Sequence, residues 1–203
     1  GHSCAIDRNR RAFCWGENSD GQLGNGSTES TTVRTRIPTP ARFRTIAAGD
    51  ETTCGTTPRG LEACWGRNAS GQVGDGTEDQ RNVPTQIARN NLDGLSPGAF
   101  HSCGLNRNGR GFCWGSNQWG NLGNGSLEPS LVPTQVSGLS NLVQITAGRR
   151  HSCAVTATGR ASCWGENEDG QLGDATQTDR SLPVRVFGSR LRFTAISAGS
   201  AHS

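Results

Sequence analysis

Apolar residues in this chain occur in short alternating runs, and the runs come in pairs. His151-Ser152-Cys153-Ala154-Val155 and Arg160-Ala161-Ser162-Cys163-Trp164-Gly165 flank a tight turn holding Gly159, the signature of a β-hairpin. With Ala157, Thr158 and Gly159 as a three-residue loop, Thr156 faces Arg160, Val155 faces Ala161 and Cys153 faces Cys163. Facing residues on paired strands stand ~4.5–5.5 Å apart at Cα, a separation that suits a disulfide. The unit recurs around Cys4/Cys14, Cys54/Cys64 and Cys103/Cys113. Gly, Ser, Thr, Asn and Asp between the runs predict many short strands and turns, with no apolar run near the ~20 residues of a membrane-spanning helix.

The first cysteines of the four pairs are spaced by 50, 49 and 50 residues, and periods of that length point to a propeller or a solenoid. Each period has the same parts. A run ending at Gly49, Gly98, Gly148 or Gly199 is followed by two variable residues, a His-Ser-Cys, the turn and a Cys-Trp-Gly. A Gly-x-Asn-x-x-Gly-Gln-Leu-Gly segment comes next, clearest at 16–24 and 165–173, and a Val-Pro-Thr-Gln-Ile-like run closes the unit. The repeats fall at about 1–49, 50–98, 99–148 and 149–199, with 200–203 opening a further one.

These motifs at these offsets resemble the regulator of chromosome condensation repeat family, whose members are seven-bladed β-propellers. The resemblance covers essentially the whole chain and implies an all-β propeller fold. Thr52 replaces the histidine of repeat two, Arg34 the linker proline of repeat one and Arg10 the turn glycine, while Val73 and Asn121 alter the Gly-Gln-Leu-Gly signature. Four periods cut within a blade allow a four-bladed ring closed through 193–197 beside the Cys4/Cys14 sheet, or completion by another chain. The expectation is four blades of a seven-bladed ring. A blade cannot bury both faces alone, so neighbours must stack. Trp15, Trp65, Trp114 and Trp164 suit the space between blades, and Ala48, Gly49, Ala147 and Gly148 suit a crowded inner strand.

Eight cysteines leave three readings open: disulfides within each hairpin, buried reduced thiols, or a metal site. Zinc needs about four converging ligands, whereas each unit offers two thiols and one nearby histidine. The disulfide reading is preferred, and it places the protein outside the cell or on its surface, in an oxidising compartment. His2, His101 and His151 repeat with the fold, which favours a structural hydrogen bond over catalysis. The Asn-x-Asp-Gly segments at 18–21 and 167–170 put Ser27 or Thr176 where a calcium loop needs a bidentate Glu. Sequons at Asn25, Asn68 and Asn124 arise within the repeated loop. Neither cofactor nor metal is expected, and no acid, base or nucleophile stands out from the repeat background, which argues against an enzyme.

The formal charge of +3, carried by arginine with no lysine, is too small to argue for nucleic acid. Its distribution says more. The turn ends carry Arg8, Arg10, Arg11, Arg59, Arg107, Arg110 and Arg160 against Asp7 and Glu62, while the opposite ends are mostly acidic. On that second rim the pairs before each histidine vary: Asp50-Glu51, Ala99-Phe100, Arg149-Arg150 and Ser200-Ala201. They are expected to surround the central channel. Phe100 and Trp119 break the polar pattern, and aromatics beside arginine are typical interface anchors. The expected function is therefore a secreted or surface-displayed module that binds a protein through Asp50, Glu51, Phe100, Trp119, Arg149 and Arg150. Two alternatives are an inhibitor resembling the secreted β-lactamase inhibitor propellers, which place aromatics before that histidine, and a structural component whose blades assemble between chains.

Overall fold

Fifteen strands and no helix occupy the described residues, 1–88, 91–188 and 191–203, of a computed structural model. They form four antiparallel sheets. The first holds β1 (His2–Ile6), β2 (Ala12–Gly16) and β3 (Thr31–Arg36), and the second β4 (Thr45–Ala48), β5 (Thr52–Thr56), β6 (Glu62–Gly66) and β7 (Arg81–Gln86). The third holds β8 (Leu92–Pro97), β9 (His101–Asn106), β10 (Gly111–Gly115) and β11 (Ser130–Gln135). The fourth holds β12 (Leu142–Ala147), β13 (His151–Thr156), β14 (Ala161–Gly165) and β15 (Arg180–Arg185). Strands follow chain order within every sheet, the meander of a propeller blade.

The hairpin register is set by the cysteines. Cys4 faces Cys14, Cys54 faces Cys64, Cys103 faces Cys113 and Cys153 faces Cys163, with all four pairs disulfide-bonded. Their Cα atoms are 4.0–4.2 Å apart, the close spacing of a pair that exchanges no backbone hydrogen bonds. The peptide groups of each first cysteine therefore point to the strand on its other side. In the turns Gly60, Gly109 and Gly159 take φ of 82°, 69° and 77°, and Arg10 adopts the same left-handed conformation at 60°. Pro84, Pro133 and Pro183 lie in β7, β11 and β15, the outermost strands, where a missing N–H leaves no ladder bond unmade.

In each blade the ladder slips between the second cysteine and the following Cys-Trp-Gly glycine, as between Cys64 and Gly66. A bulge re-aims the residue it carries. Trp65, Trp114 and Trp164 are fully buried between blades, and each indole Nε1 donates at 3.0 Å to the carbonyl of Gln22, Gln72 or Asn121 in the preceding blade. A Cβ added at Gly24, Gly74 or Gly123 would lie 2.5, 2.5 or 2.6 Å from that nitrogen, so the signature's last glycine is the floor of a tryptophan slot.

One alternative is set aside and one expectation corrected. Residues 193–198 do not join the Cys4/Cys14 sheet. Gln144 holds Ile196 through both amide atoms, Nε2 to its carbonyl at 2.8 Å and Oε1 from its N–H at 3.0 Å. The C-terminal segment thus stacks on the fourth blade as the start of a fifth, and the first sheet keeps three strands. Glu62 does not belong to a charged rim either: it is buried on β6, where Oε1 accepts from the Asn91 N–H at 3.2 Å.

Candidate functional site

The rim opposite the hairpin turns is built from the residue before each histidine and the residue after each Cys-Trp-Gly. Backbone bonds tie them: Glu17 N–H to Gly1 O, Arg67 to Glu51, Ser116 to Phe100 and Glu166 to Arg150. In two blades the side chains at these paired positions carry opposite charges. Glu51 pairs with Arg67 at 2.5 Å, while the fourth blade reverses the polarity, with Arg150 Nη1 on Glu166 Oε1 at 2.9 Å. In the third blade the pair is Phe100 and Ser116, an uncharged gap between two ion pairs.

Trp119 fills that gap. Its loop is anchored by the buried Asn117, whose amide donates to Ser126 O at 3.0 Å and Glu128 O at 2.9 Å and whose Oδ1 accepts from the Leu122 N–H at 2.9 Å. Asn18, Asn68 and Asn167 do the same in the other blades. The loop differs at one point. In the other three blades a glutamine Oε1 accepts from the N–H of Asp20, Ser70 or Asp169, at 2.9–3.0 Å. Asn121 is one methylene shorter and turns its amide to the Ser116 carbonyl at 2.5 Å instead.

The half-exposed Trp119 lies 6.4 Å from Phe100, centroid to centroid, with the planes inclined by 34°. The Arg150 guanidinium stands 4.4 Å over the indole, within cation–π range. Phe100, Trp119, Arg150 and Glu166 thus form one continuous patch that is apolar at one end and ionic at the other. The remaining rim candidates go elsewhere. Asp50 and Arg149 line the mouth of an axial cavity of about 540 Å³, walled by Ala48, Gly49, Gly98, Ala147 and Gly148. Glu51 is engaged with Arg67 in the second blade.

The histidines sit below this rim. His101 is fully buried, and Nε2 lies 2.7 Å from Ser152 Oγ of the next blade, whose hydroxyl donates to the Asn121 carbonyl at 2.9 Å. That carbonyl also takes the Trp164 Nε1–H. A carbonyl only accepts, so the one hydroxyl proton is committed and His101 must be the donor to Oγ. Burial, with a smaller contribution from neighbouring His151, pushes its pKa down to about 3. His2 donates likewise to Thr53 Oγ1 at 2.6 Å, which donates to Gln22 O at 2.7 Å. His151 meets Ser203 Oγ at 2.8 Å. Thr52 breaks the series, bonding the Arg67 carbonyl of its own blade at 3.2 Å.

Sequence reasoning put Glu166 on the acidic rim but missed its pairing with Arg150, and missed Arg67 altogether, although the constant offset of 16 from Arg150 and Glu51 was available. It also missed the brace lost at Asn121.

A family model described as the regulator of chromosome condensation (RCC1) repeat matches residues 11–55, 64–105, 108–155 and 158–203. No curated protein matches the chain in sequence. Among solved structures, Prp20p from Saccharomyces cerevisiae, described with its binding to Gsp1p and histones, superposes with a TM-score of 0.88 at 22% identity over 98% of this chain and 52% of its own. Human WBSCR16 gives 0.84 at 23% identity, over 98% and 54%. The yeast protein bound to Kap60 gives 0.83 at 23% identity, over 93% and 47%. The chain spans about half the length of each of these proteins.

Proposed function

This chain belongs to the regulator of chromosome condensation repeat family, and from that premise we propose that it is a protein-binding module acting in an oxidising, extracellular or cell-surface compartment. The contact surface is the third-blade rim centred on Trp119, with Phe100 and Arg150 beside it and Asp50 and Arg149 at the axial mouth. The observation that carries the reading is the half-exposed Trp119, stacked by Arg150 and flanked by Phe100 on a loop pinned by Asn117. A large aromatic held rigid, partly open to solvent and edged by charge is the composition of a binding hot spot. The neighbouring ion pairs of opposite polarity supply orientation. Prp20p is described as binding other proteins, which supports the same class of role here. The four disulfides support the compartment.

Affinity capture from the protein's own extracellular milieu tests this. Trp119→Ala and Phe100→Ala should each weaken capture of a specific protein by about 30-fold or more, the size of a hot-spot truncation. Phe187→Ala, at an exposed residue away from the patch, should leave it unchanged. Retention of every partner by the Phe100/Trp119/Arg150 triple alanine variant would refute the assignment.

A further inference from the structure

The rim of hairpin turns, opposite the Trp119 patch, differs from seam to seam. Where the first blade meets the second, a cleft of about 610 Å³ opens between the β1–β2 turn, the linker after β3 and the β5–β6 turn. Arg10, Arg42 and Arg59 edge it, and Pro40, Pro58 and Leu61 supply apolar lining. A second depression of about 440 Å³ shares Pro40 and continues to Arg36 at the end of β3.

The cations of this cleft have no anion of their own. All three arginines are exposed. Among the described residues, the side chains of Arg10 and Arg59 make no hydrogen bond or ion pair, and Arg42 reaches only the Pro40 carbonyl, at 3.4 Å. The carboxylates of this rim are engaged elsewhere: Asp7 holds Arg11 at 2.6 Å, and Asp93 holds Arg44 at 2.6 Å.

Arg10 also sits where a side chain is costly. Its φ of 60° is left-handed, and the turn closes through it, with its N–H on Asp7 O and its carbonyl taking the Phe43 N–H, both at 2.9 Å. The third and fourth blades place Gly109 and Gly159 at this point, as backbone sterics favour. An arginine kept there with no partner inside the molecule is the kind of outlier that marks a functional position. The equivalent seam between the third and fourth blades lacks the charge. Gly109, Asn141 and Thr158 stand there in place of Arg10, Arg42 and Arg59, so the cluster belongs to one cleft and not to the repeat.

We propose that this cleft is a second binding site, separate from the Trp119 rim, and that it takes an acidic peptide segment bearing an aliphatic side chain. Carboxylates pair with the planar guanidinium forks of Arg10, Arg42 and Arg59, in the bidentate geometry arginine favours. The aliphatic group between them covers Pro40, Pro58 and Leu61. The lining decides between ligands. A sulfated glycan is held through charge and hydroxyls and gains little from three apolar residues, whereas a peptide with an aliphatic residue among acids uses both halves of the cleft. The depression toward Arg36 gives an extended chain room to continue past Pro40.

A fluorescein-labelled peptide Glu-Glu-Leu-Glu-Glu, titrated with the oxidised chain at low salt, should rise in anisotropy to saturation, and its lysine counterpart Lys-Lys-Leu-Lys-Lys should not. Replacing the central leucine by serine should weaken binding about tenfold, the scale of burying one aliphatic side chain. Arg10→Gly and Arg59→Thr install the residues of the fourth blade. Each should weaken the glutamate peptide about tenfold or more, the scale of a lost charge-assisted hydrogen bond. Arg10→Gly should do so without lowering the thermal midpoint, because glycine suits the left-handed turn, which separates loss of binding from loss of fold. Arg185→Ala, at an exposed arginine of β15, should bind as the unmodified chain does. Failure of the glutamate peptide to bind, equal affinity for the serine peptide or for heparin, or unchanged affinity in Arg10→Gly would each overturn the proposal.

Discussion

His101 donates from Nε2 to Ser152 Oγ at 2.7 Å, across the boundary between the third and fourth blades. The hydroxyl passes its proton on to the Asn121 carbonyl, which also holds Trp164. One serine therefore joins the buried histidine, the loop of one blade and the wedge of the next.

Ser152→Ala leaves a buried imidazole N–H without an acceptor, so it should cost about 1–3 kcal/mol. Ser102 donates to the Gln72 carbonyl in the same way, but the preceding blade has Thr52 where the histidine would be. Ser102→Ala orphans no histidine, and urea unfolding should show the smaller loss there. Equal losses would separate the serine's contribution from its histidine.

Stability should fall with acid. His101 is neutral when folded, with a pKa of about 3, and burial lowers those of His2 and His151 as well. An unfolded histidine titrates near 6.5, so between that value and about 3 the unfolded chain binds more protons. The contribution of His101 is complete above pH ~6.5 and declines as pH falls toward 3, by up to about 1.4 kcal/mol per pH unit. Chemical unfolding between pH 7 and 4.5 should show this slope, and His101→Gln should flatten it.

The four disulfides should not reduce together. Cys4 is half-buried at the open edge of β1, whereas both sulfurs of the other three pairs are fully shielded. Exchange requires a thiolate to reach the sulfur. Limited reductant followed by alkylation and mass spectrometry should label Cys4 and Cys14 well before the other six.

Gly123 and Gly173 occupy equivalent turns, at φ of 68° and 62°, so alanine strains the backbone similarly at both. Only at Gly123 does the added methyl run into an indole. Gly123→Ala should be the more destabilising by about 1–3 kcal/mol, the scale of overpacking, as read by thermal unfolding.

Repetition made the architecture readable before any coordinates. A hairpin written four times fixes its register through the cysteine positions, and that register places the histidine (Thr52 in the second blade), the tryptophan and the signature glycine of each repeat. The arrangement between blades was less accessible. That Arg150 crosses to Trp119, or that Glu62 is buried while the arginines near it are not, depends on how neighbouring sheets are rotated, and alternation within a strand carries no such information. The choice between a four-bladed closure and a partial ring was open for the same reason. The chain reads identically whether residues 193–198 meet the first sheet or begin a fifth, and contacts with the fourth blade, the Gln144–Ile196 bonds among them, decide it.

Each sulfur bridge begins and ends on adjacent strands of a single sheet. The cross-links therefore give the protein as a whole no covalent redundancy. A protease that cuts one loop linking two sheets would leave two fully oxidised pieces joined by noncovalent contacts alone. Resistance to such scission rests on the seams, and the one below Thr52 has the Arg44–Asp93 ion pair where the others have a histidine bond.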